Sequence, residues 1–247
     1  MSFGAPSSVP QKPSDNPKKG KTMLSNLTST EDLMYLLLSI PSILIALTIH
    51  EVSHGYIAYK LGDPTAKMYG RLTLNPLKHL DPIGALCMLL AGFGWAKPVP
   101  INTRYFKNPR RDMALSALAG PMSNFILAFI GVILRAVLIR YLLPIFPATE
   151  FGYNLSFVSQ IFILGFIFTN LGLGVFNLIP CPPLDGSRIF YTFLPPKYYF
   201  GVMKYERYIS LGIMLLLILN VLDTPLNWIT FHILSGMEWL VGLIPFL

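Results

Sequence analysis

The stretch LMYLLLSIPSILIALTIHEVSHGYIAYK, Leu33–Lys60, decides the fold. Its first seventeen residues, 33–49, are uncharged and mostly apolar, and the only charge before Lys60 is that of Glu51. A helix needs roughly 20 predominantly apolar residues to cross a bilayer. The stretch therefore predicts a transmembrane helix over residues 33–59 that carries the polar sequence HEVSH at 50–54.

The composition of the whole chain agrees with this prediction. The chain has 247 residues, of which 53% are hydrophobic and only 13% charged, and its mean hydropathy is +0.55. Soluble domains carry about 25% charged residues, so the sequence indicates an integral membrane protein. The net charge is +7, but the basic residues lie between apolar runs and are typical of topology signals. The sequence thus argues against nucleic acid as a partner and predicts that the protein interacts with the lipid bilayer.

Other apolar segments predict an all-α membrane protein, a multi-pass helical bundle of four to six spans. Three segments are predicted to span the membrane, and a fourth either spans it or lies along its interface. They are residues 112–143, 155–179 and 209–222, and then residues 228–247.

A short re-entrant or β-hairpin element is predicted after the first span. The run GALCMLLAGFG at 84–94 is apolar but only about half as long as a crossing helix. Residues 68–74 before it have a strand-like pattern and end at the turn-forming pair Asn75-Pro76. The sequence therefore predicts a small sheet at the membrane edge together with a re-entrant hairpin.

Composition also divides the chain into an N-terminal tail and an integral-membrane domain. Residues 1–30 are rich in Pro, Ser, Lys and Asn and are predicted to be a disordered tail. Residues 31–247 form the predicted integral-membrane domain, with its core at 33–190.

The placement of positive charge predicts which side of the membrane carries HEVSH. Nine Lys and Arg lie between residues 60 and 111, four between 188 and 207, but only two between 135 and 150. The first two segments are predicted to be cytoplasmic. HEVSH would then lie in the cytoplasmic half of a bacterial-type plasma membrane. The tail opposes this topology, because it carries four lysines and is placed outside.

HEVSH has the spacing of a zinc site. On a helix, His50 and His54 are one turn apart on the same face, so both imidazoles can bind one metal ion, and Glu51 lies beside them to activate a water molecule. Burying two imidazoles and a carboxylate in an apolar span is costly, which favours a functional role. A hydrolase with one Zn²⁺ is the favoured interpretation, and a metal transporter or sensor that uses the same histidines is the alternative.

A third ligand is expected in NLIPCPPLDG at 177–186, where three prolines forbid a continuing helix. Irregular backbone at membrane depth is tolerated only where it is buried in protein or lines a wet cavity. Asp185 is therefore the best candidate, with Cys181 as a less favoured soft ligand. Weaker carboxylate rivals are Glu150, Asp223 and Glu238.

Five motifs together resemble the site-2 protease family of intramembrane zinc metalloproteases, peptidase family M50, in its compact group without a PDZ or CBS domain. The motifs are HEVSH, GRLTLNPLKHLDPIG, FGWAKPVPIN, GPMSN and NLIPCPPLDG. The resemblance implies zinc held by His50, His54 and Asp185, with Glu51 as the catalytic acid and base. It also implies endopeptidase cleavage of membrane-protein substrates in or near their transmembrane segments.

Three further residues are candidates for substrate binding. By the same resemblance, Asn124 of GPMSN and Asn177 of NLIPCPPLDG fall on positions that bind substrate backbone or polarise its carbonyl. Asparagine in a span also serves to join helices. His79, in a basic loop before Asp81, is either a solvated loop residue or a residue near the site. The sequence leaves the oligomeric state and the substrate open.

Overall fold

The computed structural model describes residues 30–84, 87, 94 and 96–246. Within these residues the regular structure is helical, with short π and 3-10 turns continuing the third helix from Leu138 to Ile145. In chain order the α-helices with both ends described are α1 (Thr30–Lys60), α2 (Thr65–Met68), α3 (Pro109–Val137), α4 (Glu150–Asn177), α5 (Asp185–Tyr191), α6 (Pro196–Ile218) and α7 (Asp223–Gly242). The predicted all-α class is confirmed.

Three helical segments are long and apolar enough to cross a membrane. They are Leu33–Lys60, Pro109–Ile145 and Glu150–Asn177, and they correspond to the first three predicted spans. The protein is thus a multi-pass integral membrane protein. Helices α6 and α7 overlap the two remaining predicted segments, 209–222 and 228–247, but each begins and ends earlier. The count of four to six spans stays a prediction.

Local sequence sets the boundaries of the two long helices after α1. Helix α3 starts with Pro109 at its first position, and Asp112 accepts a hydrogen bond from the Asn108 backbone N–H at 3.0 Å. Proline is favoured there because its missing N–H has no partner within a helix. The Thr149 side chain caps α4 by accepting from the Gly152 N–H. Helix α4 ends at Asn177, just before the prolines that cannot continue it.

The main apolar core lies between α3, α4 and α7. It is built from Ala128, Val132, Ile167, Leu171, Leu234 and Val241. Gly131 lets α3 and α4 approach, because a Cβ there would lie 2.7 Å from Cγ1 of Ile167. The site lies apart from this core, where α1 packs against α3.

The strand predicted over residues 68–74 is wrong. Helix α2 ends at Met68, and the backbone then turns, with the Arg71 N–H donating to the Ala66 carbonyl at 2.8 Å. The helical turn prevails because it satisfies these backbone groups locally, whereas a strand needs a partner along its length. In the described part of this region, β pairing is limited to one antiparallel bridge between Leu80 and Ala96.

Two other predictions concern residues that the structure does not describe. The hairpin at 84–94 lies outside the described residues except for Gly84, Cys87 and Gly94. The tail at 1–30 lies outside them except for Thr30, where α1 begins. Both stay predictions.

Candidate metal centre

His50, His54 and Asp185 form a compact triangle of possible metal ligands. His50 Nε2 lies 3.0 Å from His54 Nε2, and Asp185 Oδ2 lies 3.1 Å from each of them. Both histidines are buried, with 3% and 7% of their surface exposed. Within the described residues, no other group of three or more His, Cys, Asp or Glu has this arrangement.

The other nitrogen of each histidine ring determines what the triangle can bind. His54 Nδ1 lies 2.7 Å from the Ser116 carbonyl oxygen, and His50 Nδ1 lies 2.6 Å from Asn124 Oδ1. Both partners accept hydrogen bonds, so each neutral ring carries its proton on Nδ1 and directs the Nε2 lone pair into the triangle. Two such lone pairs and the Asp185 carboxylate converge without a donor between them. A cation satisfies this set of ligands.

The dimensions fit one Zn²⁺. Two histidines and one carboxylate with a remaining open position are a typical catalytic zinc set, and ligand atoms about 2.0–2.1 Å from a tetrahedral ion are roughly 3.4 Å apart. The observed separations of 3.0 and 3.1 Å are close to that value. Gly120 of α3 gives the histidines their space, because a Cβ there would lie 2.4 Å from His54 Nε2 and 2.7 Å from His50 Cε1.

Asp185 reaches the histidines because the chain turns sharply after α4. The Cys181 N–H donates to the Ile179 carbonyl at 2.7 Å, and the Leu184 N–H donates to the Cys181 carbonyl at 3.0 Å. Helix α5 then starts at Asp185. Gly186 packs so tightly that a Cβ would lie 2.3 Å from the Leu178 carbonyl oxygen. The turn therefore fixes the first residue of α5.

Burial by itself raises the pKa of Asp185. In the metal-free site, protonation of His50 and His54 at Nε2 would give Asp185 hydrogen-bonding, positively charged partners that outweigh that cost and hold its pKa well below the ordinary value, and a bound cation would take the place of those protons. A carboxylate is the form that binds a divalent cation.

Glu51 lies beside the triangle and is held by residues 96–102, a segment that lies outside the helices. Glu51 Oε2 accepts a hydrogen bond from the Val99 backbone N–H at 2.8 Å. Near the start of the segment, Arg71 Nη2 donates to the Lys97 carbonyl at 2.6 Å, and at its end the Asn102 N–H donates to Asp63 Oδ2 at 2.7 Å. The segment is therefore attached on both sides of the residue that binds Glu51.

His79 is buried, with 1% of its surface exposed, so the alternative of a solvated loop histidine is wrong. Its Nε2 lies 2.8 Å from the Thr73 carbonyl oxygen, and its own carbonyl accepts from the Lys97 N–H at 2.8 Å. His79 thus links the loop after α2 to the segment at 96–102. It is not one of the three grouped ligands.

The two candidate asparagines differ in their surroundings. Asn124 is fully buried against His50. Asn177 is half-buried at the end of α4, where its Nδ2 donates to the Leu173 carbonyl at 3.0 Å. The rival ligands Glu150, Asp223, Glu238 and Cys181 lie outside the ligand group.

Three residues around the site escaped sequence reasoning: Gly120, Val99 and Asn170. Asn170 is fully buried and accepts a hydrogen bond from Asn124 Nδ2 at 2.9 Å. A polar amide within an apolar span was a usable signal, because such residues are costly in membranes. Gly120 and Val99 gave no such signal, since their roles depend on how close two segments approach.

The comparisons with known proteins agree with this geometry. The sequence profile of peptidase family M50 matches residues 38–219. The chain belongs to this family. It is similar to the protein named "Putative zinc metalloprotease YwhC" of Bacillus subtilis (strain 168), with 46% identity over 186 residues that cover 75% of this chain and 80% of the relative.

Two other relatives are more distant. One is "Putative zinc metalloprotease Rip2" of Mycolicibacterium smegmatis, 31% identical over 62% of this chain and 56% of the relative. The other is "Zinc metalloprotease MJ0392" of Methanocaldococcus jannaschii, 29% identical over 65% of this chain and 34% of the relative. No solved structure gives a significant match.

The family assignment confirms the resemblance that the five motifs indicated. The chain is a zinc metalloprotease, and the alternative of a metal transporter or sensor is disfavoured.

Proposed function

We propose that this metalloprotease is an intramembrane endopeptidase that cleaves membrane-protein substrates in or near their transmembrane segments. The observation that carries the proposal is the position of the histidines. His50 and His54 lie on the apolar segment Leu33–Lys60, and their partners Ser116 and Asn124 lie on the apolar segment Pro109–Ile145. A site between two membrane-spanning helices meets its substrate within the bilayer.

In this proposal, His50, His54 and Asp185 hold zinc and Glu51 is the catalytic acid and base. Bound zinc supplies Lewis acidity, which polarises a carbonyl and makes a water molecule acidic enough to lose a proton near neutral pH. Glu51 takes that proton and passes it to the leaving amine. The Val99 N–H holds one carboxylate oxygen, Oε2, and no hydrogen bond from a described residue reaches the other, Oε1, which we assign to proton transfer.

A helical substrate segment must unwind before it is cleaved, because the amides of a helix are occupied by internal hydrogen bonds. A cavity of about 340 Å³ lies beside α5, with walls that include Met113, Ser187 and Arg188, but neither the grouped ligands nor Glu51 line it. Asn177 is half-buried at the end of α4 and, like Asn124 and His79, stays a candidate for contact with the substrate. Because the substrate helix must unwind, glycine or proline in a substrate span should favour cleavage.

The test uses purified full-length protein in liposomes with a single-span test substrate. Wild type is expected to cut the span or its boundary, as located by mass spectrometry of both fragments. Glu51→Gln is expected to retain about one zinc per chain and lose activity by at least about 100-fold, since general acid–base catalysis typically contributes 10²–10⁴-fold. Cleavage only in water-exposed segments, or full activity of Glu51→Gln, would overturn the proposal.

We also propose that the site faces the cytoplasm of a bacterial-type plasma membrane. The charge bias of the 60–111 loop supports this orientation, and the lysine-rich tail opposes it. Single cysteines in the tail and in the 60–111 loop, introduced into a variant lacking Cys87 and Cys181, can be labelled with an impermeant maleimide. Labelling of the tail from outside the cell, with the loop protected, is expected. The reverse pattern contradicts the orientation.

A further inference from the structure

Two buried asparagines connect His50 to helix α4. His50 Nδ1 lies 2.6 Å from Asn124 Oδ1, and Asn124 Nδ2 donates to Asn170 Oδ1 at 2.9 Å. Asn170 Nδ2 then donates to the Phe166 carbonyl at 2.9 Å. Both asparagines have 0% of their surface exposed. One line of hydrogen bonds thus joins α1, α3 and α4 and ends at a candidate zinc ligand.

The direction of every bond in this line follows from its last acceptor. The Phe166 carbonyl can only accept, so Asn170 directs Nδ2 towards it and Oδ1 towards Asn124. Asn124 must then present Nδ2 to Asn170 and Oδ1 to His50. The Ala46 carbonyl, 3.3 Å from Asn124 Nδ2, favours the same orientation. His50 therefore keeps its proton on Nδ1 and its Nε2 lone pair free.

We propose that Asn170 is a positioning residue that acts through Asn124 to hold His50 in its metal-binding tautomer. This inference rests on the proposed role of His50 as a zinc ligand. If the Asn124 amide turned by 180°, its NH₂ group would face His50 Nδ1 and favour the tautomer with a proton on Nε2. That proton would point at Asp185 and His54, where the metal must bind.

The first measurement is the affinity of the purified, metal-free protein for Zn²⁺ and for Co²⁺, whose absorption spectrum reports the ligand set. Asn124→Leu removes the acceptor for His50 and is expected to weaken binding by about 10- to 100-fold, the usual effect of losing a partner of a metal-binding histidine. In Asn170→Leu, the Ala46 carbonyl can still accept a hydrogen bond from Asn124 Nδ2 and so orient the Asn124 amide. This substitution is expected to weaken binding by about 10-fold or less.

The decisive measurement repeats Asn170→Leu in an Asn124→Asp background. A carboxylate has two equivalent acceptor oxygens, so it accepts from His50 Nδ1–H in either orientation. Asn170 is then no longer needed to fix the orientation of residue 124. In that background Asn170→Leu is expected to cost no metal affinity, or to improve it by removing an oxygen that faces the carboxylate. If Asn170 only packs α4 against α3, Asn170→Leu should lower metal affinity by the same factor in both backgrounds. Equal losses would overturn the proposal.

Gln160→Leu is the matched control. Gln160 is an amide on the same helix that donates to the Ser156 carbonyl within α4, and its substitution is expected to leave metal affinity unchanged. Cleavage is not used as a readout. Metal binding that follows the expected pattern without cleavage of membrane substrates would therefore refute the proposed function and leave the role of Asn170 intact.

A second measurement applies if the Asn124→Asp protein does not fold. The chain has only four histidines, so ring ¹⁵N chemical shifts of His50 can be assigned with single-histidine variants. Metal-free wild type is expected to carry the proton on Nδ1, and Asn170→Leu is expected to shift population towards Nε2. Identical shifts in the two proteins would overturn the proposal.

Discussion

The histidines and the carboxylates of the site are held by different kinds of structure. Regular helices hold His50 and His54, whose outer ring nitrogens meet acceptors on α3. Irregular backbone positions the two carboxylates, although both lie on helices: Glu51 of α1 accepts a hydrogen bond from Val99 in the segment at 96–102, and Asp185 starts α5 directly after the turn at 178–184. We call the first region, α1 with α3 and α4, the helical wall and the two irregular segments the rim.

The difference between the two regions predicts which kind of substitution disrupts each of them most. The helical wall depends on close approach between spans, so an added methyl group at a contact should be the most damaging change. The rim depends on main-chain hydrogen bonds and turn geometry, so changes of the backbone should be the most damaging there. Metal affinity reports mainly on the wall and on Asp185, whereas kcat at saturating zinc reports on Glu51.

The largest effect is expected from Gly120→Ala in the helical wall. The new Cβ would lie 2.4 Å from His54 Nε2 and 2.7 Å from His50 Cε1, and both rings are held by their Nδ1 hydrogen bonds. We expect zinc affinity to fall by at least about 100-fold, the upper end of the effect of misorienting a metal ligand. Zinc titration with a competing chelator measures it.

Gly172→Ala is the control for this substitution. Gly172 lies on α4, and a Cβ there would meet nothing within 4 Å. The change should leave zinc affinity unaltered and stabilise the helix by up to about 1 kcal/mol, because alanine has the higher helix propensity. Equal zinc affinities of the two alanine variants would show that the wall tolerates the added methyl group.

Gly186→Ala, at the start of α5 directly after the rim segment 178–184, should have the next largest effect. Its Cβ would lie 2.3 Å from the Leu178 carbonyl oxygen and 2.5 Å from that of Ile179, so α5 must shift and move Asp185. Because both histidines remain in place, we expect zinc affinity to fall by about 10- to 100-fold, less than for Gly120→Ala. A larger loss than for Gly120→Ala would reverse the ranking of the two regions.

The sequence predicted the helical wall better than the rim for a physical reason. The spacing of His50 and His54 is a local property of a helix, so it could be read without knowing the fold. The long apolar runs likewise predicted the three spans. Asp185, which the structure groups with both histidines, was a candidate from the sequence because prolines and a carboxylate at membrane depth are unusual in any fold.

The parts that the sequence missed depend on contacts between distant segments. Val99 binds Glu51 through its main-chain N–H, which every residue except proline possesses, so its side chain carries no signal. The strand expected at 68–74 followed from a pattern over seven residues that found no partner in the described structure. Asn170 was overlooked although a buried amide in a span is costly, because its role needs Asn124 beside it.

Val99→Pro is expected to separate catalysis from metal binding in the rim. It removes the N–H from which Glu51 accepts a hydrogen bond, at a position where Pro98 and Pro100 already favour extended backbone. A hydrogen bond to a charged group contributes about 1.5–3 kcal/mol. We expect kcat to fall by about tenfold or more, with zinc affinity changed by less than about twofold.

Val99→Ala is the matched control, because it keeps the N–H and removes only side-chain contacts. It should retain most of the wild-type kcat. If alanine and proline lower kcat equally, the Val99 side chain rather than its N–H positions Glu51. The rim would then resemble the wall in depending on side-chain packing.

The smallest effect is expected at the far end of α3. Arg135 Nη1 lies 2.7 Å from Glu238 Oε1, and the two side chains are 33% and 45% exposed. Exposed pairs contribute roughly 0 to 1 kcal/mol, so Arg135→Gln should lower the free energy of unfolding by no more than that. Arg135 is fifteen residues from Gly120, roughly 22 Å along the helix. We therefore expect kcat and zinc affinity to be unchanged.

Thermal unfolding and cleavage assays of Arg135→Gln and Glu238→Gln test this expectation. The pair joins α3 to α7, whereas the helical wall is formed by α1, α3 and α4. If either variant changed kcat more than about twofold with little loss of stability, the docking of α7 would influence the wall through α3. The wall would then extend beyond the helices that contact the histidines, and the boundary between the two regions would have to include α7.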